Sequence, residues 1–99
     1  MLFRSPDTQD ASHNWGVALA EQAKQKTGET ADDLFRQAYA KFETALNAKP
    51  DTRVLLNWGI VLMEQAKQKT DKAADDFFRQ AYEKFAEALK IEPGMHVAL

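Results

Sequence analysis

Apolar residues recur at spacings of three and four in four blocks of this chain, and the blocks form two pairs that nearly copy one another. The first, from about Asp10 to Lys26, lines up Trp15, Leu19 and Gln22 or Ala23. The second, from about Ala31 to Ala48, gathers Phe35, Ala38, Tyr39, Phe42, Ala45 and Leu46 on one broad face. A third block, from about Arg53, carries Val54, Leu55, Trp58, Val61 and Leu62. The fourth, from about Ala73 to Ile91, carries Phe77, Phe78, Ala81, Tyr82, Phe85, Ala88 and Leu89. Strand-type alternation is absent, so the pattern predicts an all-α fold.

The punctuation between blocks supports four helices. Thr27-Gly28-Glu29-Thr30 breaks the first, with Thr30 and Asp33 in capping-box spacing. Asp32 and Asp33 then fall in the first turn of the second helix, and Asp32 and Arg36 have the spacing of an i,i+4 pair. Pro50 ends that helix, Asp51 or Thr52 can cap the third, and Pro93-Gly94 ends the fourth. Thr70-Asp71 stands where the first pair has Thr27-Gly28, so a helix breaker is missing there. The third and fourth helices are thus expected to be able to fuse and exchange hairpin halves between chains, as in domain swapping. Glycine inside a helix costs about 1 kcal/mol relative to alanine. Its presence at both Gly16 and Gly59 therefore implies close approach of a neighbouring helix.

The text from Asn14 to Pro50 returns from Asn57 to Pro93, a period of 43 residues, and such a period signals stacked helical units. Pro6-Asp7-Thr8 echoes Pro50-Asp51-Thr52, and Pro93 to Leu99 aligns with Pro50 to Leu56. Residues 1–99 thus read as one domain, with repeat one at about 8–50, repeat two at about 51–93, and 94–99 opening a third. Leu2 and Phe3 are apolar without an evident helix of their own.

The order Leu55, Asn57, Trp58, Gly59, Leu62, then Ala81, Phe85, Ala88, Pro93, resembles the tetratricopeptide repeat. The first copy matches with Asn14, Trp15, Gly16, Leu19, Ala38, Phe42, Ala45 and Pro50, and has Ser12 where a large residue is expected. The usual repeat has 34 residues; here about ten more, EQAKQKTGETAD and EQAKQKTDKAAD, lie between the helices. They are rich in helix formers and should lengthen both helices, raising each hairpin by roughly 7 Å. The seven-residue text EQAKQKT reads as solvent-facing, its reuse the mark of a binding surface or, as the favoured reading, a trace of duplication. The resemblance implies an α-solenoid of two helix-turn-helix hairpins with a concave groove. Positions matching that groove are Asp10, His13, Val17, Ala20 and Glu21, then Arg53, Leu56, Ile60, Met63 and Glu64. Tetratricopeptide domains that clamp a chaperone's C-terminal carboxylate use Lys, Asn and Arg at some of these positions. Here His13 or Leu56, and Val17 or Ile60, stand instead, so an apolar peptide or amphipathic helix is the expected ligand.

Composition narrows the partners. The chain has 99 residues, a net charge of −2 and no cysteine. One core of this size buries about 60 to 65% of the unfolded surface. A pI near 5.6 leaves no basic footprint for nucleic acid or an anionic membrane surface. The longest apolar runs, Val54 to Leu56 and Ile60 to Met63, are too short to cross a bilayer, and the N-terminal text lacks a secretory signal. A soluble, cytoplasmic protein is expected. His13 and His96 have no metal-ligand spacing, and Asp32-Asp33 and Asp75-Asp76 suit helix starts better than acid–base pairs. No phosphate loop or nucleophile motif is present. The reading is a non-enzymatic protein-binding module without cofactor or metal. Its alternative is a self-assembling scaffold, a homo-oligomer formed through Phe78, Tyr82, Val97 and Leu99, whose uncovered repeat face invites another copy.

Overall fold

The computed structural model describes residues 8–95. They form α1 (Thr8–Lys24), α2 (Gly28–Ala48), α3 (Thr52–Ala66) and α4 (Asp71–Ile91), and no strand occurs among them. The class is all-α. Only residues 25–27 and 67–70 connect the helices within each pair. The inserts are therefore mostly helix, as their Ala, Lys, Gln and Glu content favours.

Two turns depart from expectation. Helix α2 starts at Gly28, with Thr27 as its N-cap and no side-chain cap bond, so Thr30 and Asp33 do not form the capping box. Gly28 has φ 66°, and Asp71, its counterpart in the second copy, has φ 53°. Aspartate is among the few residues besides glycine that enter the left-handed region routinely. The chain consequently reverses at Asp71, and the expected fusion of the third and fourth helices does not occur: α3 and α4 close as a hairpin. Both turns are tied the same way, by Lys26 N–H to the Ala23 carbonyl and Lys69 N–H to the Ala66 carbonyl, each at 3.0 Å. At the start of α3 the Asp51 carboxylate accepts from Arg53 N–H at 2.8 Å, as the capping position predicts.

Each hairpin packs through one repeated contact. A Cβ added to Gly16 would lie 2.7 Å from Phe42 Cε1, and one added to Gly59 would lie 2.5 Å from Phe85 Cε1. The missing side chain thus makes a notch for a phenylalanine ring from the partner helix. Phe42 is fully buried, with Phe35, Ala38 and Ala45 beside it on α2 and Ala20 and Ala23 on α1. In the second hairpin Leu62, Ala81 and Phe85 form the corresponding cluster. The far ends close with a polar tie in each copy: Gln9 Nε2 donates to the Lys49 carbonyl, and Thr52 Oγ1 donates to the Glu92 carboxylate. These pairs occupy matching positions, and Gln9 and Thr52 are both buried.

Hairpin then stacks on hairpin, α3 lying against both α2 and α1. Val54 and Val61 of α3 enter the first cluster, while Tyr39 and Trp58 pack against both. The Trp58 ring is stacked nearly parallel to Tyr39, centroids 6.2 Å apart, and Lys84 Nζ sits 3.8 Å from its centroid. Gln65, 4% exposed, carries the polar part of the junction. Its Oε1 accepts from the Tyr39 hydroxyl at 2.8 Å, its Nε2 donates to Asp32 at 3.0 Å, and Lys69 pairs with the same Asp32 at 2.7 Å. Asp32 is therefore not the partner of Arg36, which bonds Asp33 at 2.6 Å. Nor is EQAKQKT uniformly solvent-facing, because Ala23, Gln65 and Ala66 are buried.

Filling a notch should cost more than the helix propensity gained. Gly59→Ala is expected to lower unfolding free energy by on the order of 1 kcal/mol, overpacking of about 1–3 kcal/mol offset by about 1 kcal/mol of propensity. Urea denaturation followed by circular dichroism measures it. Asp71→Gly relieves a left-handed residue and should raise stability by about 1 kcal/mol in the same assay.

Candidate functional site

The sequence places ten residues on one groove, and the structure brings five of them together. Val17, Ala20 and Glu21 of α1 face Ile60 and Glu64 of α3 across a cleft of about 110 Å³, completed by Lys24, Asn57 and Val61. Its floor is apolar. Val17 is half-buried against the first core cluster and Ala20 is buried, whereas Ile60 is 48% exposed. The rim is polar: Glu21 lies 3.6 Å from Lys24, and Glu64 lies 3.8 Å from Lys67. Exposed pairs of this kind contribute little stability, so either partner is free energetically to meet a ligand charge.

Of the remaining five, His13 adjoins the cleft and Asp10 lies beside Arg53. The His13 Nε2 lies 2.7 Å from the Asn57 amide nitrogen, bridging α1 to α3, and its ring meets Phe42 edge-on at 6.0 Å. Burial, with the Arg53 charge second, holds His13 below its ordinary pKa. A neutral ring suits the bond, since Nε2 can then accept from the amide. Arg53 lies farther along, its guanidinium 2.9 Å from Asp51 and 4.0 Å from Asp10. That contact to Asp51 is what holds the Asp51 carboxyl below the usual carboxylate range. Leu56 and Met63 do not line the cleft. Both are half-buried and pack against the cluster of Leu62, Ala81 and Phe85.

Phe78 and Tyr82, expected at a self-association surface, lie on α4, half-buried and 52% exposed respectively. Val97 and Leu99 fall outside the described residues, as do Leu2, Phe3 and His96. Sequence reasoning missed a second cleft, of about 250 Å³, lined by Asp32, Arg36, Tyr39, Gln65, Phe77 and Gln80. It sits over the polar junction. Its one prior signal was the recurrence of Gln22 and Lys26 as Gln65 and Lys69. Burial pushes the Tyr39 phenol up, with the Asp32 charge adding to it, while the hydrogen bond from Lys69 holds Asp32 below the usual carboxylate range. Tyr39 therefore stays a neutral donor and Asp32 an anion. Among the described residues no three acidic or histidine side chains gather as a metal site requires, and no helix is long and apolar enough to cross a membrane.

The lowered pKa of His13 makes folding favour the neutral ring. Its contribution is complete above the ordinary histidine value of 6.5 and is lost as pH falls below that value through the folded pKa. Asp32 behaves likewise from 3.8 downward. In thermal melts between pH 7.5 and pH 5, on the order of the range spanning the histidine reference, His13→Leu should show a shallower fall in Tm than the parent chain. Between about pH 4.5 and 2.5, Asp32→Asn should do the same.

Neither a protein-family model nor a curated protein nor a solved structure matches this chain.

Proposed function

We propose that this chain is a non-catalytic protein-interaction module of tetratricopeptide type, which takes one apolar face of a peptide or amphipathic helix into the cleft between α1 and α3. The observation that carries this reading is Ile60. It is 48% exposed beside Val17 and Val61, on a floor built by two helices and rimmed by Glu21, Lys24 and Glu64. An aliphatic residue left in water at the mouth of a preformed trough loses nothing on binding and gains burial, about 25 cal/mol per Å² of apolar area covered. A helix offering residues at i, i+3 and i+4 matches a trough that runs along two helices. The charged rim would fix orientation more than affinity. The Lys, Asn and Arg set of a carboxylate clamp is not among the residues lining the cleft beyond Lys24 and Asn57, so an internal apolar segment suits it better than a free C-terminus.

A fluorescein-labelled amphipathic peptide with leucine at i, i+3, i+4 and i+7 serves as the probe. Saturable binding by anisotropy is expected, weakened at least about tenfold, or about 1.4 kcal/mol, by Ile60→Glu. Ile60 is exposed, so the variant's circular dichroism and Tm should stay at parent values. A peptide that fails to saturate, or binds Ile60→Glu as well as the parent, removes the groove reading.

A further inference from the structure

The repeat supplies its own template for a second interface. Where the second hairpin docks on α2, α3 presents Val54, Trp58, Val61 and Gln65, and the turn after it presents Lys69. The matching residues are Ala11, Trp15, Ala18 and Gln22 of α1 and Lys26 of the turn after it, and all five are exposed. On the receiving side, α2 presents Asp32, Phe35, Tyr39 and Leu46. Their counterparts on α4 are Asp75, Phe78, Tyr82 and Leu89. Phe35 is fully buried whereas Phe78 is only half-buried, and Tyr82 and Leu89 are 52% and 37% exposed. Among the described residues, one end of the stack therefore carries an unfilled copy of the α3 face, and the other carries an unfilled copy of the α2 face.

We infer that a second copy of this chain docks head to tail, the outer face of its α1 on the outer face of α4, repeating the contact by which α3 docks on α2. Chemistry supports the match at each polar point. Lys69 reaches Asp32 at 2.7 Å and Gln65 bridges Tyr39 to Asp32. Lys26 and Gln22 of a second copy offer the same groups to Asp75 and Tyr82. Trp58 is covered by Tyr39 as well as Lys84. Trp15 has the equivalent lysine, Lys41 at 3.6 Å, and is 57% exposed, so Tyr82 of a neighbour supplies the ring that Tyr39 supplies within the chain. The two faces differ, so the contact is heterologous, and each docked copy still presents one free face of each kind. Growth is open-ended. Ala11 and Ala18 stand where α3 has Val54 and Val61, so less apolar area is covered and association is weaker than the internal stacking.

The test uses the parent chain, Ala18→Glu, Tyr82→Glu, and the double variant Ala11→Val with Ala18→Val. All alter exposed side chains, and circular dichroism confirms that each keeps the parent fold. In sedimentation equilibrium from about 10 µM to about 1 mM, the mass of the parent should climb above 11.2 kDa with concentration. The valine pair should associate at least about tenfold more tightly. Ala18→Glu and Tyr82→Glu should each stay monomeric alone, yet form a one-to-one dimer and nothing larger when mixed, since each retains the face the other lacks. Three results would overturn the proposal: a parent and valine pair that both remain monomeric, an Ala18→Glu chain that still self-associates, or a mixture that does not pair.

Discussion

A phenylalanine ring resting on a glycine holds each hairpin at its working distance. Phe42 fills the notch at Gly16 and Phe85 the notch at Gly59, with no room for even one added carbon. Because the ring enters between backbones, small residues can surround it: Ala20, Ala23, Ala38 and Ala45 all lie at or near zero exposure. A core made of alanines around a few large rings brings helices close along their whole length. That closeness aligns the far ends well enough for Gln9 to reach Lys49 and Thr52 to reach Glu92, forty residues away in each case. The close approach thus determines the register of everything outside the core, including the spacing between α1 and α3 where the cleft forms.

The same text does different work in its two copies because its surroundings differ. Gln65 is buried in the junction, bonded on both sides, and Gln22 is exposed. Trp58 lies between Tyr39 and Lys84, while Trp15 is mostly in water. Position in the stack decides, since a helix in the middle has neighbours that an outer helix lacks. Each face of the repeat is built to be covered, and stability in such arrays comes from nearest-neighbour contacts. The outer faces of α1 and α4 retain that construction.

The cleft between α1 and α3 is a consequence of stacking and belongs to no single repeat. Val17 and Ala20 come from one hairpin, Ile60 and Val61 from the other, and His13 with Asn57 ties the two across its end. The shape of the cleft depends on the spacing of the hairpins as well as on the side chains. Polar bonds at Tyr39, Gln65, Asp32 and Lys69 constrain that spacing from the opposite side of α3. The cleft is accordingly preformed, which lowers the ordering cost of binding.

Helix number, type and approximate bounds were legible in the chain, because period and punctuation are local properties: apolar spacing marks the faces, and Gly28, Pro50 and Asp51 mark the ends. The packing role of Gly16 and Gly59 was legible too, from the cost of glycine in a helix. Asp71 misled because propensity ranks it below glycine as a breaker, yet it enters the left-handed turn that Gly28 occupies. A pattern of threes and fours places Leu56 and Met63 on a broad face without saying which of two neighbours claims them. Their burial against Leu62 and Phe85 depends on where α4 lies. The pairing of Asp32 with Lys69 across 37 residues has the same origin. Sequence by itself determined the elements and the faces they must cover, since these follow from backbone and side-chain chemistry within a few turns. Only the tertiary structure decided which covered face meets which, because that choice rests on distances between helices that no local spacing contains.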